Sequence, residues 1–253
     1  MSDDSILVVA IDNDGCLIRD QFADFDLEFA KTMRDYARRA EEAPGDPVPR
    51  FTFLTGRPQP FVECMQKLFG TSLPAIYENG AGLDLGGQSR SRLDPRITEE
   101  TLEEMARLRS LLRRTVMKDV PSFIQPGKDG TVSIIPYDMA DHERLLDACE
   151  ELARTEQIPL AAVRAVRAMD FMVSGVDKES GLLWLAEHMG LPLERIAGIG
   201  DSRGDVEFLR RCAWSGCPVN AVDAVKDVVD YISPHEAHEG VLDIMEKIIA
   251  RNR

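Results

Sequence analysis

At 253 residues, 44% of them hydrophobic, the chain is long enough to bury a substantial core in one large domain or two smaller ones. A formal charge of −14 argues against nucleic acid or an anionic membrane as partner, since both need a basic face, but leaves room for an anionic small molecule in a locally positive pocket. Five scattered cysteines without a Cys-x-x-Cys, no apolar run near the roughly 20 residues of a bilayer span, and an acidic start (Met1-Ser2-Asp3-Asp4-Ser5) unlike a signal or transit peptide point to a reducing cytoplasm and no disulfides.

Ile6 to Ile11 is a short apolar, β-branched run, and it ends abruptly in Asp12-Asn13-Asp14-Gly15-Cys16-Leu17. That pattern reads as a buried strand delivering acidic groups to the edge of a parallel sheet, where α/β folds place their ligands. Side chains two apart on extended backbone point the same way, so Asp12 and Asp14 can face one small volume. Two carboxylates that close need a cation or a shared proton. An ordinary Asp-Gly turn capped by Asp12 is the other reading of the same residues.

Phe22, Phe25, Phe29, Met33, Tyr36 and Ala37 recur at helical spacing, and Pro44-Gly45-Asp46-Pro47-Val48-Pro49 breaks the chain after them. Phe51 to Leu54 forms a second strand, running into Thr55-Gly56-Arg57. Pro58 and Pro60 open a helix that ends at Gly70, and Pro74 to Tyr77 is a third short strand. This alternation predicts a parallel, doubly wound sheet.

From about Leu83 the texture changes. Gly86-Gly87-Gln88-Ser89 reads as a turn, and Thr98 to Lys118 as one long helix with glutamates first and basic residues last, a polarity that complements the helix dipole without any ligand. Ser122 to Gln125 and Val132 to Ile135 flank Pro126-Gly127-Lys128-Asp129-Gly130 as a hairpin. A helix from Asp141 to about Glu156 and two extended runs, Ala161 to Val166 and Met169 to Val173, complete a separate α+β unit. Strand and helix alternation then resumes. Ser180 to Met189 and Asp205 to Cys212 are helices, Ile196 to Ile199 and Gly216 to Val219 strands, and Val241 to Ala250 closes the chain.

Two later stretches join Thr55-Gly56-Arg57 in placing polar groups at the start of loops or helices: Val176-Asp177-Lys178, and Gly200-Asp201-Ser202-Arg203-Gly204-Asp205 after an apolar strand. In this order and spacing the set resembles the haloacid dehalogenase-like phosphohydrolases, whose four motifs are an Asp-x-Asp loop, a Thr or Ser, a Lys and an acidic pair. Glu78-Asn79-Gly80-Ala81, Asn220-Ala221 and Glu239-Gly240-Val241 resemble the large-cap branch that includes sucrose-phosphate, mannosyl-phosphoglycerate and phosphoglycolate phosphatases. The resemblance implies a Rossmann-like core (1–82 and 175–253) with an inserted α+β cap (83–174), closing over a small phosphosugar or phosphorylated organic acid.

By the same resemblance, Asp12 is the nucleophile that forms an aspartyl-phosphate, and Asp14 the general acid and base. Thr55 and Lys178 hold the phosphoryl oxygens. Asp12, Asp14 through its turn carbonyl, Asp201 and Asp205 hold Mg²⁺. Gly56, Arg57, Asn79, Arg164 and Arg167 are candidates for substrate contact. Asn13 stands where an apolar residue is usual, Cys16 where Thr is frequent, and Gly204 where Asn often precedes the last Asp.

A phosphomutase returning the phosphoryl group to a sugar hydroxyl is the nearest alternative, and a non-catalytic binder of phosphate ligands the alternative from another class. No cysteine begins a Cys-x5-Arg loop, and neither a Walker loop nor a complete Gly-x-Gly-x-x-Gly is present. His235 and His238 have a spacing open to a transition metal, but with no cysteine or third histidine beside them they read as a polar loop.

Overall fold

The computed structural model describes residues 5–20, 23–43, 45–86 and 90–253; Phe22, Pro44 and most of the turn expected at Gly86-Gly87-Gln88-Ser89 lie outside them. In chain order, β1 (Val8–Ile11) leads to α1 (Leu27–Glu42), β2 (Arg50–Phe53), α2 (Gln59–Phe69), β3 (Ala75–Tyr77), β4 (Gly82–Asp84) and β5 (Ser91–Leu93). Then come α3 (Glu99–Arg114), α4 (Val116–Asp119), β6 (Ser122–Ile124), β7 (Val132–Pro136), α5 (His142–Thr155), β8 (Ala161–Arg164) and β9 (Met169–Met172). The chain closes with α6 (Lys178–Met189), β10 (Ile196–Ile199), α7 (Val206–Arg211), β11 (Trp214–Cys217), α8 (Asp223–Lys226), β12 (Tyr231–Ile232) and α9 (Ala237–Arg251).

These elements form two compact units, Met1–Arg92 with Asp177–Arg253, and Leu93–Val176. The second begins ten residues after the texture change at Leu83, for a packing reason. Strand β4 pairs antiparallel with β3, and Leu83 is buried with Ile76 and Leu182 in the first unit's core.

The first unit is built on a five-stranded parallel sheet in the order β12-β11-β10-β1-β2. All four residues of β1 are buried, as a central strand covered on both faces must be. The faces follow from alternation: Ala10 packs with Leu182, Leu185, Phe208 and Leu209 of α6 and α7, while Phe51 and Phe53 meet Phe69 of α2, and Phe69 meets Phe29 of α1. Strand order reverses between β1 and β10, the switch point at which a doubly wound sheet opens a crevice at its carboxyl edge.

Strand β3 joins this sheet by a single parallel bridge, Leu54 to Ile76, and otherwise belongs to the antiparallel sheet β3-β4-β5. Pro74 has no N–H to offer β2, and the outer edge of β2 is closed instead by hydroxyls: Thr52 donates to Pro74 O, and Thr71 to Phe51 O at 2.7 Å. Helix α1 starts later than its aromatic spacing suggests, because Asp26 caps it by accepting from Phe29 N at 2.8 Å. Strand β12 carries no periodic signal, having only two residues.

The second unit has the antiparallel sheet β6-β7-β9-β8. Val132, Ile134 and Phe171 on one face pack with Leu108 and Leu112 of α3 and Leu145 of α5. The long helix expected from Thr98 to Lys118 breaks at Thr115, whose hydroxyl donates back to Leu111 O at 2.8 Å while its backbone leaves the helical region.

Candidate active site

The loops after β1, β2 and β10 and the start of α6 carry the acidic and basic groups singled out in the sequence. Asp12 N donates to Ile199 O at 2.9 Å, extending the β1–β10 pairing one residue and sending the Asp12 side chain into the buried carboxyl edge. The chain then turns tightly: Gly15 N donates to Ile18 O at 2.7 Å, and Cys16 N and Ile18 N both donate to Asn13 O. Gly15 takes φ +86°, and a Cβ there would lie 2.0 Å from Asp201 Oδ2. Only glycine lets the acid after β10 pack onto the turn after β1.

Lys178 is aimed at this point by a helix start. Asp177 caps α6, accepting from Ser180 N at 2.9 Å while Ser180 Oγ accepts from Asp177 N at 3.0 Å. The buried Lys178 ammonium on that first turn lies 2.8 Å from Asp12 Oδ1 and donates to Asp205 Oδ1. Asp205 Oδ2 accepts from Asp201 N at 3.0 Å, Ser202 N at 2.8 Å and Ser202 Oγ at 2.9 Å. Asp205 thereby fixes both the lysine and the backbone that carries Asp201.

Carboxylate oxygens of Asp12, Asp201 and Asp205 all lie within 4.8 Å of one another. Three acids face one ammonium, and the imbalance shows in their proton affinities. Burial, then the Asp205 carboxylate, raises Asp12 well above the usual carboxylate range against the pull of Lys178. The same two causes push Asp201 up to about 7. Burial opposes the charge on Lys178, but Asp12 and Asp205 outweigh it and the ammonium is held more tightly than a free lysine. A hard cation suits this surplus of oxygen donors. Asp205 is already bonded through both oxygens, which makes Asp12 and Asp201 the better placed ligands.

Asp14 departs from expectation. Its carboxylate turns away from the acidic cluster and forms a fork with Arg57, accepting from Nε at 2.8 Å and Nη2 at 2.5 Å. Any metal ligand from Asp14 is therefore its turn carbonyl. The Arg57 guanidinium also lies over the Phe61 ring, 4.7 Å from its centroid. Thr55 stands at the neighbouring strand end; its Oγ1 accepts from Arg57 N at 3.2 Å, leaving its own O–H to donate.

Residues 112–245, more than half of the chain, match the family model of haloacid dehalogenase-like hydrolases. The chain belongs to the haloacid dehalogenase-like hydrolases. It is 26% identical over 243 residues to a phosphoglycolate phosphatase of Thermoplasma volcanium, covering 94% of this chain and 96% of that protein. The phosphoglycolate phosphatase of Methanopyrus kandleri is likewise 26% identical, over 96% of this chain and 97% of its own. The crystal structure of Thermoplasma acidophilum 0175 shares the fold, with a TM-score of 0.73, 18% identity and coverage of 96% and 98%.

As a haloacid dehalogenase-like hydrolase, the chain brings Asp12, Lys178, Asp201 and Asp205 together, with Asp14, Thr55 and Arg57 on the adjoining loops. Gly56 and Asn79 act on backbone. Asn79 N donates to Thr55 O at 2.9 Å, and a Cβ on Gly56 would lie 2.9 Å from Asn79 Oδ1. Glu78 and Asn79 both adopt positive φ, 50° and 55°, so a strained turn braces Thr55-Gly56 from behind.

Arg164 faces the carboxylates of its own unit. Its guanidinium binds Glu143, Asp147 and Glu150 of α5, because the register that pairs it with Met169 puts it on the helix side of its sheet. Arg167 lies in the turn between β8 and β9. His238 packs on Phe29 and faces Asp26, while His235 bonds through its backbone, so the two imidazoles build no metal site among the described residues.

Two working residues had no role assigned from sequence. Asn220 Nδ2 donates to Gly15 O at 2.9 Å and its Oδ1 accepts from Ala237 N at 2.8 Å, clipping the first turn to the start of α9. Cys16 Sγ donates to Asp201 Oδ1 at 3.5 Å, and its thiol is pushed up by burial and then by Asp201. Neither signal is readable without the fold, since Asn220 and Gly15 are 205 positions apart and Cys16 and Asp201 185.

Proposed function

We propose that this hydrolase is a Mg²⁺-dependent phosphatase acting on a small phosphate monoester, a phosphorylated organic acid or phosphosugar, through an aspartyl-phosphate on Asp12. The observation that carries the reading is the buried Asp12 carboxylate, 2.8 Å from the Lys178 ammonium and in one oxygen cluster with Asp201. The named activity of the curated relatives supports the same substrate class.

A phosphate monoester repels anionic nucleophiles, so the site must neutralise it and present an oxygen in line. Asp12 Oδ attacks phosphorus, and the alkoxide leaves. Lys178 and the Thr55 hydroxyl bind phosphoryl oxygens and hold the group for attack. Asp14 gives a proton to the leaving oxygen and then takes one from the water that hydrolyses the acyl phosphate. Asp12, Asp201 and the Asp14 carbonyl would hold Mg²⁺, which when bound supplies screening between carboxylate and phosphate. Asp205 keeps Lys178 and the Asp201 backbone in register. No helix among the described residues is long and apolar enough to cross a membrane.

The test is phosphate release from a panel of small esters with Mg²⁺ and with chelator. The expected result is release that requires the ion and is lost in Asp12→Asn. Isomerised ester in place of phosphate would make the protein a mutase, and silence across the panel would make it a binder.

A further inference from the structure

We infer that Cys16 gives the acidic cluster a soft donor, so that a thiophilic divalent cation, Zn²⁺ or Cd²⁺, displaces Mg²⁺ and binds through its sulfur. This rests on the reading of Asp12 and Asp201 as ion ligands and adds a selectivity which that reading leaves open. Cys16 is fully buried on the turn after β1. Its Sγ lies 3.5 Å from Asp201 Oδ1, and carboxylate oxygens of Asp12, Asp201 and Asp205 cluster there within 4.8 Å of one another. Gly15 makes room for the contact, because Asp201 Oδ2 lies 2.0 Å from where a Cβ at that position would stand.

The spacing suits zinc. Thiolate sulfur binds zinc at about 2.3 Å and a carboxylate oxygen at about 2.0–2.2 Å. At a tetrahedral angle those bonds hold the two donor atoms roughly 3.5–3.7 Å apart. The Cys16–Asp201 pair, at 3.5 Å, therefore forms one edge of a zinc tetrahedron as it stands, and Asp12 supplies a further oxygen. Mg²⁺ takes hard oxygen ligands and leaves sulfur out, so beside Mg²⁺ the thiol stays a hydrogen-bond donor to Asp201. A thiophilic ion forms a metal–sulfur bond in place of the S–H bond, and the thiol proton passes to solvent. A hydroxyl at position 16 would give Asp201 the same hydrogen bond without a soft ligand, so the selectivity belongs to the sulfur.

The experiment loads the ion-free full chain with one equivalent of Zn²⁺, in a Cys64→Ser background that removes the exposed thiol. X-ray absorption at the zinc edge should show one sulfur at about 2.3 Å among oxygen ligands. Cys16→Ser in the same background, or Cys16→Thr where that variant does not fold, should show oxygen ligands alone. Electron paramagnetic resonance of bound Mn²⁺ gives a second reading. Zn²⁺ should displace Mn²⁺ from the Cys16 protein about ten- to a hundredfold more readily than from the hydroxyl variant, the scale on which even a neighbour of a ligand alters metal affinity. Zinc ringed by oxygen alone in the Cys16 protein, a sulfur that persists in the hydroxyl variant, or displacement indifferent to the substitution overturns the proposal. None of these readings needs turnover. Should no ester be hydrolysed, the phosphatase reading falls while the zinc spectrum still decides the role of Cys16, and an oxygen shell in an active phosphatase strikes this proposal alone.

Discussion

Gly15 is where the two acidic loops meet, and replacing it with alanine isolates that contact. At φ +86° an L side chain meets a backbone penalty of roughly 1–2 kcal/mol. The added methyl would also sit 2.0 Å from Asp201 Oδ2 and 2.4 Å from its Cγ, inside the 3.0 Å approach that real Cβ atoms respect, so Asp201 must retreat by about 1 Å. A displacement of about that size in a catalytic group costs on the order of a hundredfold in rate. Gly190→Ala is the matched control: φ is +60°, and nothing lies within 4 Å of the new methyl, so it meets the backbone penalty alone. Melting should fall in both variants, at about 2–4 °C per kcal/mol, and further in Gly15→Ala, which adds the clash to the backbone penalty. Only Gly15→Ala should lose turnover, by about a hundredfold, together with Mn²⁺ affinity measured by electron paramagnetic resonance. A Gly15→Ala protein with wild-type turnover and ion affinity would refute the claim that this turn seats Asp201.

Lys178→Met leaves Asp12 and Asp205 buried without their shared cation, a loss of about 3–5 kcal/mol, and calorimetry should show melting lowered by about 10 °C. Asp201 and Asp12 both hold protons more tightly when folded than when unfolded, so the ion-free protein is most stable near the unfolded carboxylate range and loses stability as pH rises toward about 7. Mg²⁺ takes the proton's place, and its stabilising effect on melting should grow over that window and level off above it; a pH-independent effect would contradict the assignment. Asn13 has a fully buried amide with neither atom bonded, and Asn13→Leu should raise melting by a few degrees by removing an orphan amide that costs about 1–3 kcal/mol. Arg164→Gln should leave KM for every ester unchanged, since its guanidinium is engaged by three carboxylates of α5.

The meeting of acids and lysine at the sheet edge was legible because its signals are local: an apolar run ending in Asp12-Asn13-Asp14-Gly15, another ending in Gly200-Asp201, and a lysine one residue past a helix cap. Each depends on strand ends and caps, which sequence patterns mark well. Contacts across the fold were not legible. Nothing in the order of residues says that Asp14 turns to Arg57 rather than to the acidic cluster, that Asn220 clips Gly15, or that Arg164 faces α5, because contacts between separate segments decide each. Strand β3 misled for a related reason. Its pattern is that of a buried strand, and only Pro74 hints that it leaves the parallel ladder after one bridge.

Acid-quenched enzyme, stopped during turnover of 2-phosphoglycolate and mapped by peptide mass spectrometry, puts the account to its most direct test. A phosphoryl group on the peptide that holds Asp12, absent from Asp12→Asn and dependent on added Mg²⁺ for its formation, is the result expected. Turnover that persists in Asp12→Asn, or a phosphoryl group found on any other peptide, would contradict it.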